Sequence, residues 1–267
     1  MGEITLTKVL VNGACGRMGQ AVVKAVLSDD ELELVGAVDL RGGMDAGELV
    51  GLPKAGVTVT TDLVKTFDDA KPEVMVDFTR PDVVLGNALT ALKNGVSPVI
   101  GTTGLSSDDK EKIKKLAEET GTPAFIAPNF AIGAVLMMVM AREAAKYLPD
   151  VEIIELHHDK KLDAPSGTAI QTAEMIGEVR RKHKQGHPDE KEKLAGARGA
   201  DIDGIRIHSV RLPGYVAHQE VIFGGLGQTL TIRHDSMDRE SFMPGVVIAC
   251  KKIHSLKGLT VGLEKLL

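Results

Sequence analysis

The sequence predicts an α/β fold: a Rossmann-like, doubly wound parallel sheet with a second α+β domain that contains a mixed or antiparallel sheet. Up to about residue 130, short apolar segments alternate with segments of helical periodicity, which is typical of a parallel sheet covered on both faces. A glycine-rich turn at 13–19 joins the first of these strands to the first helix. After residue 200, three apolar segments are separated only by short turns, which favours a mixed or antiparallel sheet.

The N-terminal half begins with a βαβ unit. Residues 8–12 and 32–38 are apolar strands, and residues 16–27 between them carry apolar side chains at helical spacing. The alternation continues with strands at 74–78, 98–100 and 123–127 and with helices at 82–93 and 107–119.

The pattern changes after about residue 130, where we place the boundary of the second domain. A long helix at 132–148 ends at a proline, and a strand at 151–156 follows. The remaining predicted elements are a helix at 167–184, a polar loop at 185–200, strands at 205–212, 217–223 and 228–234, a helix at 241–254 and a last strand at 259–261. Composition alone does not decide whether the last helix returns to the first domain.

The composition excludes several classes of protein. A net charge of -5 argues against a nucleic-acid partner, which requires a basic face. No apolar run reaches the roughly 18 residues of a membrane span, and the N-terminus lacks the pattern of a signal peptide. Cys15 and Cys250 are the only cysteines and lack metal-ligand spacing, so we expect no metal site and a reducing, cytoplasmic location.

The turn at 13–19 predicts a dinucleotide site. Its spacing is Gly-x-x-Gly-x-x-Gly, and glycines there let the backbone approach a pyrophosphate at the helix N-terminus. Asp39, about 20 residues further on at a strand end, is placed to bind a ribose hydroxyl. Its charge favours NADH, whereas Arg17 and Arg41 could hold the 2′-phosphate of NADPH, so both cofactors stay open. The alternative is a turn needed only for helix packing; Cys15 is interpreted as a small loop residue rather than a nucleophile.

Two further loops follow predicted strands. Residues 101–104 are Gly-Thr-Thr-Gly, and residues 127–130 are Ala-Pro-Asn-Phe. Ligands of doubly wound sheets bind at the carboxyl ends of strands, so both loops are candidates for the nicotinamide end of the cofactor. Simple turns are the alternative interpretation.

Residues 155–169 have an unusual density of proton-transfer groups. His157 and His158 lie at a strand end, where adjacent side chains point to opposite faces and need not share a role. Lys161 follows on the loop, where its ammonium group can reach a carboxylate or donate a proton. A surface loop with histidines satisfied by hydrogen bonds is the alternative.

The end of the same segment predicts an anion site. Ser166 resembles an N-cap, and Gly167 and Thr168 fall in the first helical turn, where backbone N–H groups and the threonine hydroxyl can hold an anion. The segment therefore suggests an acidic substrate with proton delivery. The other histidines are interpreted as structural or solvated: His183, His187, His208, His218, His234 and His254.

Five motifs occur in order along the chain: Val-Asn-Gly-Ala-Cys-Gly-Arg-Met-Gly at 11–19, Val-Asp-Phe-Thr-Arg-Pro at 76–81, Ile-Gly-Thr-Thr-Gly at 100–104, Ala-Pro-Asn-Phe at 127–130 and Glu-Leu-His-His-Asp-Lys-Lys-Leu-Asp-Ala-Pro-Ser-Gly-Thr-Ala at 155–169. Together they resemble the 4-hydroxy-tetrahydrodipicolinate (dihydrodipicolinate) reductase family over nearly the whole chain. The last motif is highly specific, whereas many dehydrogenases share the first.

The resemblance implies a reaction and roles for the second segment. A hydride from NADH or NADPH would reduce a cyclic unsaturated dicarboxylate to tetrahydrodipicolinate in the diaminopimelate route to lysine. His157 matches the family's proton donor and acceptor, and Lys161 its catalytic proton donor. His158, Gly167 and Thr168 match positions that bind substrate.

The resemblance also implies cofactor contacts, domain roles and an assembly. The dinucleotide-binding domain would span 1–130, with a segment at about 240–267 returning to it, and 131–239 would bind substrate and form a homotetramer. The implied cofactor contacts are Gly13, Ala14, Cys15, Gly16, Arg17, Met18, Asp39, Gly101, Thr102, Thr103, Ala127, Pro128, Asn129 and Phe130.

Two positions depart from the family pattern. Cys15 stands where many members have glycine, and Leu40 separates Asp39 from Arg41, which displaces the usual acid-then-arginine pair. Two other functions compete with the reductase: a different Rossmann-fold amino-acid dehydrogenase, and a non-catalytic NAD-binding regulator. The density of proton donors at 155–169 counts against the regulator.

Overall fold

A computed structural model describes residues 6–267. The first five residues, which belong to the predicted 1–130 domain and to the N-terminus that lacks the signal-peptide pattern, lie outside the described residues. The chain divides into two compact units. Unit 1 comprises Met1–Phe130 and Phe242–Leu267, and unit 2 comprises Ala131–Ser241.

Residues 6–267 form twelve strands and eight α-helices, numbered along the chain. The strands are β1 (Thr7–Asn12), β2 (Leu32–Val38), β3 (Val59–Thr60), β4 (Val74–Asp77), β5 (Ser97–Ile100), β6 (Ala124–Ile126), β7 (Asp150–His157), β8 (Ala200–Ile202), β9 (Ile205–Arg211), β10 (Ala217–Gly225), β11 (Gln228–Ser236) and β12 (Leu259–Val261). The helices are α1 (Arg17–Leu27), α2 (Ala46–Leu49), α3 (Leu63–Ala70), α4 (Val84–Lys93), α5 (Ser107–Thr120), α6 (Ile132–Ala144), α7 (Gly167–Gly177) and α8 (Met243–Lys252).

The described part of unit 1 contains a seven-stranded sheet in the order β12-β6-β5-β4-β1-β2-β3, and every pairing is parallel. Strand order reverses between β1 and β4, which is the switch point where doubly wound sheets bind ligands. Residues 9–11 and 74–76 are fully buried without polar alternation. The predicted Rossmann-like parallel sheet is confirmed.

Unit 2 contains a five-stranded sheet in the order β11-β10-β7-β9-β8. β7 pairs with β9 in parallel, and the other pairs are antiparallel. The predicted mixed sheet is therefore confirmed. α6 and α7 contact each other and the sheet, and the alternate residues Val151, Ile153 and Glu155 of β7 are buried. Their neighbours Glu152 and Ile154 are half-buried and point to the opposite face.

The predicted helix at 167–184 is wrong in its length, because α7 ends at Gly177. The chain then turns so that Gln185 can pair with β7. Its side-chain oxygen accepts from Val151 N at 3.1 Å, and its side-chain nitrogen donates to Val151 O at 3.0 Å. This amide takes the place of a strand partner, and a helix continued to residue 184 would lose it. The helix predicted at 132–148 likewise ends earlier, at Ala144.

The sequence analysis does not predict four short elements: α2, β3, α3 and β8. α2 and β3 are too short to show a period. Asp45 and Asp62 cap the N-termini of α2 and α3 by accepting backbone N–H groups, so side-chain hydrogen bonds define these boundaries.

Residues 6–267 contain no helix long and apolar enough to cross a membrane. The same residues contain no group of three or more His, Cys, Asp or Glu that could hold a metal ion.

The return of α8 to unit 1 depends on a close backbone approach at Gly245. A Cβ atom there would clash with the carbonyl oxygen of Phe130. Gly86 in α4 offers a matched control, because a Cβ atom there meets nothing within 4 Å. We expect Gly245→Ala to lower the free energy of unfolding by about 1–3 kcal/mol through overpacking.

Gly86→Ala should instead leave stability unchanged or raise it by about 0.5–1 kcal/mol, since it only restricts the unfolded chain. Denaturant unfolding of both variants measures the difference. Equal stability of the two variants would contradict the close packing of α8.

Candidate functional site

The glycine turn of unit 1 is built by two close approaches. Gly13 has a φ of +87°, and a Cβ atom there would lie 2.5 Å from Phe78 O. A Cβ atom at Gly19 would clash with Gly13 O. Both positions therefore require glycine, and α1 begins directly at the carboxyl end of β1.

The N-terminus of α1 is suited to an anion. Its N-cap is Gly16, and within the described chain no side chain caps it and no acidic residue occupies its first turn. The first N–H groups of a helix lack intrahelical partners and carry the positive end of the helix dipole. A pyrophosphate fits this position, as the sequence predicts.

A cavity of about 350 Å³ lies at the same end of the unit 1 sheet. Of the predicted cofactor residues it is lined by Gly13, Gly16 and Asp39. Thr79 and Arg80, from the loop after β4, also line it. Of the remaining predicted residues in the turn, Ala14 and Cys15 are buried, Met18 is half-buried and Arg17 is exposed.

Asp39 ties the glycine turn to the residues after β2. Its carboxylate accepts from Cys15 N at 2.9 Å and from Arg41 N at 3.3 Å. Arg41 Nη2 donates to Cys15 O at 3.3 Å. The displaced Arg41 therefore braces the turn. Burial raises the pKa of the Cys15 thiol, and the charge of Asp39 raises that pKa further, so Cys15 is no nucleophile at neutral pH.

Asp77, the last residue of β4, is a fully buried carboxylate at the centre of a hydrogen-bond network. Asn12 and Asn87 each donate to Oδ2 at 2.9 Å. Thr79 donates to Oδ1 through its N–H at 3.1 Å and its hydroxyl at 2.7 Å, and the Thr102 hydroxyl donates at 2.7 Å. One carboxylate thus joins the ends of β1, β4 and β5 to α4.

The other two predicted cofactor loops lie at the carboxyl ends of β5 and β6. Gly101 is required there, since a Cβ atom would clash with the Phe78 ring. Thr102 and Ala127 are buried, whereas Thr103 and Pro128 are exposed and Asn129 is half-buried. The Phe130 ring is buried, with its centroid 5.8 Å from that of Phe78. Ala127 and Phe130 therefore expose almost no surface at this edge of the sheet.

In unit 2, His157 is held by Glu155 on the same face of β7. His157 Nδ1 lies 2.5 Å from Glu155 Oε2. Arg211, which is the register partner of His157 on β9, donates to both Glu155 oxygens at 2.7 and 2.8 Å. Burial alone would raise the pKa of Glu155, but the hydrogen bonds from His157 and Arg211 outweigh burial and lower it to about 2. Glu155 is therefore ionised at neutral pH.

Lys161 is largely enclosed, with its side chain 20% exposed. Its Nζ donates to the two carboxylate oxygens of Asp163 at 2.7 and 2.9 Å. These hydrogen bonds lower the pKa of the Asp163 carboxyl. Arg211 Nη2 also donates to Asp163 O at 2.8 Å, which connects this pair to Glu155. Asp163, to which sequence reasoning gave no role, is the counter-ion of Lys161.

The predicted N-cap of α7 is present. Ser166 Oγ accepts from Ala169 N at 3.2 Å, and Ser166 N donates to Glu155 Oε1 at 3.2 Å. Gly167 is exposed and Thr168 is half-buried in the first turn. The helix N-terminus is therefore tied to the same carboxylate that holds His157, while His158 is exposed just beyond β7.

Three of the remaining histidines are paired with acids. His218 Nδ1 lies 2.6 Å from Asp235, and His208 Nε2 lies 2.8 Å from Glu152. His183 Nε2 lies 2.8 Å from Asp150. Hydrogen-bonded histidines of this kind agree with the structural interpretation.

Sequence reasoning missed the residues that hold the predicted ones. Glu155 stood inside the quoted motif without a role, and Arg211 gave no local signal beyond a basic residue at a strand end. Asp77 and Thr79 also lay inside a quoted motif, and Asn87 was hidden in a helix. For Glu155 and Asp77, the sequence signal that could have indicated a role was a polar residue at the end of a buried strand.

Comparisons with known proteins agree over both units. The family model "Dihydrodipicolinate reductase, N-terminus" matches residues 7–130, and "Dihydrodipicolinate reductase, C-terminus" matches residues 133–267. The chain is 56% identical over 262 residues to the 4-hydroxy-tetrahydrodipicolinate reductase of Desulfitobacterium hafniense, covering 97% of this chain and 98% of that protein.

Two further relatives extend the agreement. The chain is 56% identical over 261 residues to the enzyme of the same name from Geobacillus thermodenitrificans, with 97% and 98% of the two chains covered. A solved structure, the dipicolinate-bound dihydrodipicolinate reductase from Paenisporosarcina sp. TG-14, superposes with a TM-score of 0.88 at 49% identity and covers 98% of this chain and 100% of that one.

The Asp77 network generates a prediction about cofactor affinity. In Asp77→Asn, an NH2 group must face donors, either Asn12 and Asn87 or Thr79 and Thr102, so the loops after β4 and β5 lose a hydrogen bond. We expect the Kd for NADH to rise about tenfold, in line with an unsatisfied buried donor.

The control is Asp109→Asn, because Asp109 accepts from the Ser106 N–H and hydroxyl in the capping box of α5. It should lower thermal stability without changing the Kd. Titration calorimetry with NADH measures both variants, and equal affinities would contradict the role of Asp77.

Proposed function

The chain belongs to the dihydrodipicolinate reductase family, and we propose that in its reaction His157 and Lys161 deliver the proton while His158, Gly167 and Thr168 hold the substrate. Its activity is the NADH- or NADPH-dependent reduction of 4-hydroxy-tetrahydrodipicolinate in the diaminopimelate route to lysine. The observation that carries the proposed roles is the connected network of Glu155, His157, Ser166 and Arg211 in unit 2.

Unit 1 has the residues to bind the cofactor. The turn at 13–18 and the N-terminus of α1 suit the pyrophosphate, and Asp39 suits a ribose hydroxyl. We propose that the loops at 101–103 and 127–130 contact the nicotinamide, whose reduced form supplies the hydride. Their place at the carboxyl ends of β5 and β6, past the switch point, supports this.

The substrate site in unit 2 matches a dicarboxylate. The first N–H groups of α7, at Gly167 and Thr168, are anion donors, and the Lys161 ammonium is close by in sequence on the preceding loop. The relative from Paenisporosarcina sp. is described with dipicolinate, a planar ring with two carboxylates, which is consistent with such a pocket. Lys161 would exchange its contact with Asp163 for a substrate carboxylate.

His157 and Lys161 are the two proposed proton donors. Conversion of the 4-hydroxy substrate to tetrahydrodipicolinate also requires its hydroxyl group to leave as water. After that loss, hydride addition to the unsaturated ring leaves a negative centre that needs a proton, and a positioned acid lowers the barrier to that transfer. His157 is fixed by Glu155 through Nδ1, which leaves Nε2 as its reactive nitrogen. Lys161 supplies a second acid and positive charge.

We also propose that the chain assembles as a homotetramer through the sheet of unit 2. β11 is an edge strand of nine residues and is mostly exposed, and long uncovered edges invite pairing with another chain. The face opposite α6 and α7 carries the half-buried residues Ile154 and Ile222. The family resemblance points to the same surface.

A cytoplasmic location is part of the proposal. Cys15 and Cys250 are both free and buried, and burial raises the pKa of the Cys250 thiol to about 12. Unpaired thiols of this kind suit a reducing compartment.

The proposed roles predict a kinetic result. With the condensation product of pyruvate and aspartate semialdehyde as substrate, the purified protein should oxidise NADH or NADPH. His157→Gln and Lys161→Met should each lower kcat on the order of 10²-fold or more, because each removes a proton donor. Loss of NAD(P)H absorbance in steady state measures this.

Matched controls are His187→Gln and Lys160→Met, which remove an exposed histidine and an exposed lysine of the same unit. Both should retain kcat. No turnover with either cofactor would refute the reductase and favour an NAD-binding regulator, and turnover of amino acids instead would favour an amino-acid dehydrogenase. Unchanged kcat in both site variants would refute the assigned roles.

The assembly predicts a mass of about 114 kDa for four copies of the 28.4 kDa chain, measurable by light scattering after size exclusion. Ile222→Lys places a charge on the open sheet face and should shift the mass to a smaller species. Val64→Lys, on an exposed apolar position of α3, is the control and should leave it unchanged. A wild-type monomer would sink the proposal.

A further inference from the structure

Glu155 is a fully buried carboxylate one strand step from His157. Residues two apart on a strand share a face, so the two side chains lie together on the helix-covered face of the unit 2 sheet. Oε2 contacts His157 Nδ1 at 2.5 Å and Arg211 Nη1 at 2.8 Å. Oε1 accepts from Arg211 Nη2 at 2.7 Å and from Ser166 N at 3.2 Å.

The contact fixes which ring nitrogen carries the proton. The hydrogen bonds that lower the pKa of Glu155 to about 2 keep it ionised, and an ionised carboxylate only accepts hydrogen bonds. His157 Nδ1 must therefore be the protonated nitrogen in neutral imidazole. Nε2 then bears the lone pair, and it is the nitrogen that gains and loses the exchangeable proton.

We infer that Glu155 is a positioning residue that holds His157 as the Nδ1–H tautomer and presents Nε2 for proton exchange. The catalytic part of this inference rests on the proposed function of His157. The tautomer itself follows from the geometry of unit 2.

Arg211 fixes the orientation of the Glu155 carboxylate as well as neutralising its charge. Its two Nη groups take one position on each Glu155 oxygen, so the carboxylate plane is fixed by a two-point contact. One oxygen is then left for His157 and the other for Ser166 N. The same side chain therefore orients the proton donor and anchors the N-terminus of α7, where the substrate anion is proposed to bind.

Glu155→Gln tests the inference with little change in shape. The amide keeps one acceptor but presents an NH2 group to donors on one side. Arg211 and Ser166 N can only donate, whereas the His157 ring can become an acceptor by changing its tautomer, so the NH2 group is expected to face His157. Nδ1 then accepts, and the neutral ring becomes the Nε2–H tautomer and no longer offers a lone pair at Nε2. We expect kcat to fall on the order of 10²-fold, while the KM for NADH stays within about twofold.

The spectroscopic readout is independent of turnover. Long-range 1H–15N correlation spectra distinguish the Nδ1–H and Nε2–H tautomers of neutral histidine, and the His157 signals are assigned by their loss in His157→Asn. The wild type should show Nδ1–H at His157. Glu155→Gln should show Nε2–H, and a purely structural role would not reverse the tautomer.

Glu152→Gln is the matched control. Glu152 lies on the same strand, on the opposite face, and is paired with Arg198 and with His208 Nε2 at 2.8 Å. This variant also removes a carboxylate from an ion pair in β7. It should keep both the kcat and the Nδ1–H signal of His157.

Two outcomes overturn the inference: an Nε2–H tautomer at His157 in the wild type, or a Glu155→Gln protein that keeps Nδ1–H at His157 whatever its kcat. The first does not need Glu155→Gln, so it decides even where that variant fails to fold. Absence of reductase turnover in the wild type would refute the proposed function instead. The tautomer measurement would still test the role of Glu155, because it does not depend on turnover.

Discussion

A carboxylate buried at the end of a β-strand constrains the carboxyl end of β7 and the start of α7 in unit 2. Removing an ion from water costs several kcal/mol unless its lone pairs are met by good donors. Glu155 meets this demand with His157 from its own strand, Arg211 from the neighbouring strand and Ser166 N from the start of α7. These groups come from separate segments, so the strand register, the loop and the helix start must all be correct together.

Unit 1 also has a buried carboxylate at a strand end, Asp77, but its hydrogen-bond donors are of a different kind. Among residues 6–267, the hydrogen bonds to Asp77 come from neutral groups: the amides of Asn12 and Asn87, and the N–H or hydroxyl groups of Thr79 and Thr102. Several neutral donors stabilise the Asp77 carboxylate, whereas the guanidinium of Arg211 provides a charged donor for Glu155. The difference would suit the two proposed ligands, since a cationic cluster matches a dicarboxylate, whereas backbone N–H groups at a helix end match a pyrophosphate.

Local sequence patterns predict what is local in the fold. Leu32–Val38 matches its predicted bounds because its residues are apolar apart from Glu33 and Gly36, a composition typical of a buried strand. The predicted extension of α7 is wrong because Gln185 instead forms hydrogen bonds with Val151. The two residues are 34 positions apart in sequence, and helical periodicity does not reveal such a contact. The site divides in the same way. In unit 2 the chemical groups form one contiguous motif, but Arg211 supports them from another strand. In unit 1 Asn87 supports Asp77 from a helix, and only the tertiary pairing brings either partner into place.

The strand-end position of both carboxylates has a further consequence for precision. A side chain there can accept backbone N–H groups from the loop that follows, as Asp77 does from Thr79 and Glu155 does from Ser166. Each loop is thereby fixed by a rigid strand rather than by its own contacts, which is how a site on a loop gains accuracy. In unit 2 the loop at 158–165 is fixed at its two ends and at Asp163, whose carbonyl oxygen accepts from Arg211. The Lys161 side chain lies between these points and pairs with the exposed Asp163 carboxylate, so under the proposed function a substrate carboxylate would recruit it without disturbing His157.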